Sequence, residues 1–198
     1  MTKRRYDADA TRRDLIAAAR AAFAADGYAQ ARAGDIVATA GLTRGALYHH
    51  FDGKAGLFRA ALEDVQAVLA KEIRNRALAA KGGPLARLRV GFQTYLDMAA
   101  RADIRRILFV DGPAVLGWAA WREIDLEYGF KATRAALAAA MEAGEIETCP
   151  VDPLTHVLLG AVTQAGLEIG DAADPDAARR EYGAVVNLLI DRLAGRKS

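Results

Sequence analysis

The chain has 198 residues, 53% hydrophobic and 26% charged, with a net charge of +2; this is the profile of a globular protein of one or two domains with apolar mass for a sizeable core. Its single cysteine, Cys149, excludes an intrachain disulfide and a cysteine-rich zinc site. No apolar run reaches the roughly eighteen residues of a membrane span, and Met1 to Arg5 lead into charged residues rather than an apolar signal core, so a cytoplasmic protein with no membrane partner is expected.

Abundant Ala and Leu with few β-branched runs point to an all-α protein. The first helix is expected from about Ala8 to Ala25, with Leu15, Ala19, Ala22 and Phe23 as its inward stripe. Gly27 ends it, and Tyr28 folds back as the apolar partner of a glycine cap. A second helix, about Gly34 to Ala40, turns Ile36, Val37 and Ala40 inward and leaves Asp35 and Thr39 outside. Gly41-Leu42-Thr43 then supplies a glycine at a helix C′ position, an apolar seal and a hydroxyl to cap the next helix. That third helix, Arg44 to His50, carries a cation, small gaps at Gly45 and Ala46, the phenol of Tyr48 and the imidazoles of His49 and His50. Such groups suit phosphates and base edges. Asp52-Gly53 turns the chain into a long fourth helix from Lys54 to about Ala80, which Gly82-Gly83-Pro84 breaks.

Further helices are expected over about 84–101, 103–111, 115–143, 153–169 and 175–194. Asp111-Gly112-Pro113 and Gly144 act as breaks and Gly195 closes the last helix. Asp152-Pro153 and Asp174-Pro175 each read as an N-cap followed by proline at the first helical position.

The segments AAFAADGY, DIVATAGLTRGALYHHF and GKAGLF, within residues 12 to 62, resemble the N-terminal DNA-binding domain of TetR-type transcriptional regulators. The resemblance implies a three-helix helix-turn-helix domain over 1–56 and a helical effector-binding and dimerisation domain over 57–198. A weaker similarity links VDGPAVLGWAAWREID, 110–125, to some actinobacterial TetR relatives. The DNA-binding candidates are Arg32, Thr43, Arg44, Gly45, Tyr48, His49 and Lys54. Arg44 is the candidate for direct base reading, since a bidentate guanidinium discriminates guanine by about 1–3 kcal/mol. Tyr48 and Lys54 match positions that commonly hold phosphates in the family. Ala31 and Arg32 depart from the family pattern, because a Ser or Thr commonly caps the second helix there; Arg32 is a longer-range substitute. His50 is expected to pack beside Phe51 or face solvent.

Charge supports this polarity, because residues 1–56 hold nine Lys/Arg against six Asp/Glu while the remainder holds eighteen against nineteen. In the second region Phe92, Tyr95, Phe109, Trp118, Trp121, Arg122, Tyr128, His156 and Gln164 are candidates to line a small-molecule pocket, with plain core packing as the alternative for each aromatic. The aromatic content leans toward a lipophilic effector. Leu154, Val157, Leu158, Ala161, Ala165, Val185, Val186, Leu189, Ile190 and Leu193 form stripes suited to packing within the subunit or pairing with a second copy. The expected partners are therefore a pseudo-palindromic double-stranded DNA operator, a second copy of the chain and an unidentified effector.

An enzyme needs a nucleophile, a base or a metal site, and the sequence offers little: Ser198 is the only serine, His49 and His50 are adjacent, and GKAGLF lacks the phosphate-loop layout. No catalytic residue, metal or cofactor is assigned. A nonspecific architectural DNA-binding protein is the alternative, against which the modest charge and large apolar second region argue.

Overall fold

The computed structural model describes residues 2–194, with side chains from Ala8 onward. Gly195 and Ser198 lie outside the described residues. Among those described there is no strand; the chain forms α1 (Thr2–Gln30), α2 (Ala33–Thr39), α3 (Arg44–His50), α4 (Gly53–Ala79), α5 (Pro84–Ala100), α6 (Ala102–Arg105), a π-helical stretch (Arg106–Asp111), α7 (Gly112–Leu116), α8 (Trp118–Glu142), α9 (Val151–Asp171) and α10 (Pro175–Leu193). No helix among them is long and apolar enough to cross a membrane.

The chain divides into two compact units. The first holds the residues through Gln66 together with Ala102–Trp121; the second holds Ala67–Arg101 and the residues from Arg122 onward. In the first unit Leu15, Ala19 and Phe23 of α1 are fully buried with Ile36, Leu47, Leu57 and Phe58. The Phe23 and Tyr28 rings lie edge-on to Phe58, each with centroids 5.1 Å away, an arrangement that the ring quadrupoles favour. Gly27 interrupts α1 at φ +76°, a conformation open to glycine and strained for other residues.

Two expected boundaries move. Asp111-Gly112-Pro113 does not break the chain: helical structure continues through it, and the break falls at Gly117, φ +78°. Pro113 sits in the first turn of α7, directly after the π-helical stretch. Gly112 is needed for space, since a Cβ there would meet Trp121 Cδ1 at 2.8 Å, Leu62 Cδ1 at 2.9 Å and the Ile107 carbonyl oxygen at 3.0 Å. Asp152 does not cap α9, which begins at Val151; its carboxylate instead takes a 2.5 Å hydrogen bond from Arg134 Nε. Asp174 caps α10 as expected, accepting from the Ala177 N–H at 3.0 Å, and Gly144 closes α8 at φ +65°.

In the second unit α5 packs on α9 and α10, which also pack on each other. Gln93 Nε2 donates to the Gly183 carbonyl and to Asn187 Oδ1, both at 3.0 Å, and Arg179 pairs with Asp97 at 2.6 Å. Leu96, Leu137, Leu158, Ile169 and Ile190 lie in this core.

Candidate nucleic-acid interface

The candidate interface grows from the turn between α2 and α3. Gly41 adopts φ +67°, and the N–H groups of Gly41 and Leu42 bond back to the Ala38 and Val37 carbonyls at 3.0 Å. These bonds satisfy the last carbonyls of α2 as the chain reverses. Thr43 then caps α3, its Oγ1 accepting from the Ala46 N–H at 3.3 Å. Leu47 is the apolar pin that holds α3 to the core, 1% exposed. With Leu47 facing inward, helical spacing turns Arg44, Gly45, Tyr48 and His49 outward, and all four are exposed. Tyr48 is 70% exposed.

Arg44 has a specific resting place. A Cβ added to Gly34, in the first turn of α2, would stand 3.2 Å from Arg44 Nη2, so the guanidinium lies against that glycine. Arg32 is the N-cap residue of α2 and gives no side-chain cap; the α2 N-terminus is closed by backbone alone, with the Asp35 and Ile36 N–H groups on the Arg32 carbonyl. The Arg32 side chain is exposed.

Lys54, at the start of α4, is seated rather than free-floating. Its Nζ lies 4.3 Å from the centroid of the Tyr28 ring and 3.5 Å from the Ala29 carbonyl oxygen. His50 is half-buried beside Phe51, ring centroids 6.3 Å apart. Sequence reading passed over Arg12, whose guanidinium lies 5.4 Å from the centroid of Phe51, the residue that ends α3. Nothing in the helical pattern of α1 marks it, because the contact joins residues far apart in the chain.

The second unit holds a different kind of polarity. Asp125 is buried on α8 and receives hydrogen bonds from Arg122 Nη1 at 2.5 Å and from Thr163 Oγ1 of α9 at 2.9 Å; Arg122 Nη1 also donates to Thr163 Oγ1 at 3.0 Å. Tyr95 of α5 exposes part of its ring, but its hydroxyl oxygen is buried. Burial, then the nearby Asp125 carboxylate, pushes the Tyr95 phenol well above the ordinary value, so it stays a neutral group at physiological pH. Of the expected pocket residues, Phe92, Tyr95, Arg122, Tyr128, His156 and Gln164 fall in this unit, and Phe109, Trp118 and Trp121 in the first. His156 and Gln164 are exposed, the former stacked 4.7 Å from Phe130 and the latter bonded to Glu168. Trp121 is a core residue, 1% exposed, with its indole N–H on the Leu108 carbonyl at 2.7 Å, whereas Trp118 is exposed.

Residues 15–61 match the family of bacterial regulatory proteins of tetR type, and residues 85–193, more than half the chain, match the tetracyclin repressor-like C-terminal domain. The chain belongs to the TetR family. It is 30% identical to a TetR-family transcriptional regulator from Pectobacterium atrosepticum, with 96% of each chain covered and a TM-score of 0.87. It is 25% identical over 150 residues to the TetC protein of transposon Tn10 from Escherichia coli, 76% of this chain and 75% of that one. The likeness to the regulator TtgR of Pseudomonas putida is local: 44% identity over 59 residues, 30% of this chain and 28% of TtgR.

The helix-turn-helix match lies within the first unit; the C-terminal match, 85–193, draws on the second unit, the body of the protein, and on Ala102–Trp121 of the first. Asp125 is the body residue that sequence reading missed. Its signal was there, since Asp125 lies four residues after the buried Trp121 and so falls on the inward stripe of α8, where a carboxylate demands a partner.

Proposed function

We propose that this TetR-family protein is a cytoplasmic, dimeric repressor that binds a pseudo-palindromic DNA operator with α3 and leaves it when a small molecule binds the second region. The observation that carries the DNA reading is the exposed row Arg44, Gly45, Tyr48 and His49 on a helix that is capped by Thr43 and pinned by Leu47. In this reading Arg44 takes a guanine edge, Gly45 lets the backbone approach, and Tyr48, Thr43, Arg32 and Lys54 take phosphates. His49 lies beside the groove.

The dimer reading rests on apolar groups left outside on the last two helices. Val157 is 68% exposed, Val185 54%, Leu188 52% and Leu189 43%. Leu158, Ala165, Val186 and Ile190 are buried within the subunit, and Leu154, Ala161 and Leu193 are half-buried. In this reading the two α3 helices of a dimer enter successive major grooves, about 34–36 Å apart or a multiple of it.

The effector reading rests on Arg122, Asp125, Thr163 and Tyr95, a buried polar cluster in a region with Phe92 among its core residues. An amphipathic effector with one hydrogen-bonding end fits such surroundings. The functional division proposed, DNA reading within 1–56 and effector and dimer functions within 57–198, differs from the compact units, because Ala102–Trp121 packs with the DNA-reading unit.

Selection of retained sequences from a pool of random duplexes at physiological salt tests this function. Recovery of a pseudo-palindrome is expected. Retention without a shared sequence would make the protein a nonspecific binder instead.

A further inference from the structure

The end of α1 is gripped by two side chains that the function above does not use. Gly27 interrupts the helix, and the Tyr28 N–H that follows is taken by Asp111 Oδ2 at 2.7 Å, on a carboxylate only 15% exposed. Arg106 lies on the other side: its Nε is 3.4 Å from the same carboxylate oxygen and its Nη2 is 3.4 Å from the Asp26 carbonyl oxygen. A Cβ on Gly27 would stand 2.0 Å from Arg106 Nη2, so the guanidinium occupies space that only glycine leaves. Arg106 and Asp111 bracket the π-helical stretch, and they hold residues 26–28 between them.

What they hold is the seat of Lys54. The Tyr28 ring, packed against both Phe23 and Phe58, carries Lys54 Nζ 4.3 Å from its centroid, and the next carbonyl, that of Ala29, lies 3.5 Å from the same nitrogen. The lysine stem is long and carries rotamer entropy that must be given up to hold a phosphate. A prepared seat removes much of that cost before DNA arrives. Loss of the Asp111 carboxylate leaves the Tyr28 N–H without its acceptor and frees the turn to reorient the ring.

We infer that Asp111 is a positioning residue for DNA binding, acting through the Tyr28 backbone and ring to place the Lys54 ammonium for a phosphate. The inference rests on the DNA-binding reading, and its test separates the two.

The full chain, its Asp111→Ala, Lys54→Ala and Tyr28→Leu variants and the Asp111→Ala/Lys54→Ala double variant are titrated with the selected duplex across a salt series, below their melting temperatures. Parental binding with a steep salt dependence establishes the DNA reading first; a parent that retains no duplex sinks that reading and this inference with it. Asp111→Ala is expected to weaken binding several-fold and to flatten the log–log salt slope by about 0.9, the value of one phosphate contact. Lys54→Ala should do the same, and the double variant should lose no more than Lys54→Ala alone. Asp111→Asn, which keeps an oxygen for the Tyr28 N–H, should restore the parental slope. A parental slope in Asp111→Ala, or losses that add in the double variant, would overturn the inference. If Asp111→Ala does not fold, Tyr28→Leu decides: it keeps the backbone bond and removes the ring, so an unchanged slope in it overturns the inference and a slope flattened by about 0.9 supports it.

Discussion

The two regions of this protein place their polar groups in opposite ways. Around α3 they stand outside on a small core: Thr43, Arg44, Tyr48 and His49 are exposed, and a single buried leucine, Leu47, sets their direction. In the second unit the informative polar groups are inside, with Asp125 and Thr163 buried and Arg122 nearly so. A surface that meets a rigid, charged polymer needs correct local geometry and little else. A region that holds a small molecule needs polar groups kept from water and held by one another, which couples stability to recognition.

Substitutions can break this comparison or sharpen it. The largest effect is expected inside the body. Asp125→Ala leaves Arg122 and Thr163 without their shared acceptor, and loss of one member of a buried pair typically costs about 3–5 kcal/mol; denaturant unfolding should register it. A change below about 0.5 kcal/mol, ordinary for a surface site, would place Asp125 in the same class as exposed side chains such as Arg44 and His49. Next is Arg44→Ala, where the cost should appear in binding and not in folding: about 1–3 kcal/mol on the selected operator, far less on random DNA, and no change in melting. Equal losses on both duplexes would remove its base-reading role.

Thr43→Ala should lower folding stability by about 1 kcal/mol through the lost cap, so it tests whether the turn, rather than any contact it makes, supports α3. Lys54→Ala should leave melting unchanged while flattening the salt slope by about 0.9. The smallest effect is a pH effect in the body. The Tyr95 phenol titrates above its ordinary value of 10.0 in the folded protein because burial and Asp125 oppose its charge. The folded state therefore holds that proton more tightly than the unfolded chain, and stability is intact below pH 10.0 and falls as pH rises past it. Tyr95→Phe should flatten that alkaline limb, and an unchanged limb in urea unfolding would show that another group produces it.

The same contrast explains how far the sequence could be read. The α2–turn–α3 layout is local: Gly41, Leu42 and Thr43 carry their conformations in their own chemistry, so α3 lies at Arg44–His50 as the spacing implies. Asp174 capped α10 for the same reason. The helical run through Pro113 was hidden because it depends on space at Gly112 that Trp121 and Leu62 fill from elsewhere in the chain. Asp152 looked like a cap until Arg134 claimed its carboxylate. The Asp125–Thr163 bond joins residues 38 positions apart, and the Tyr28–Asp111 bond joins residues 83 apart; no periodicity of a single helix carries either. The tryptophans show the limit most plainly. Trp118 and Trp121 stand three apart on α8, yet one is exposed and the other closes the core with its N–H satisfied.

The measurement that bears most directly on the central claim is hydroxyl-radical footprinting of the protein on its selected duplex. Two protected stretches related by a dyad and centred one helical turn, about 34–36 Å, or a multiple of it apart are the result that paired α3 helices predict. One protected stretch with no symmetry mate, or protection spread evenly along the duplex, would contradict a dimeric reader of major grooves.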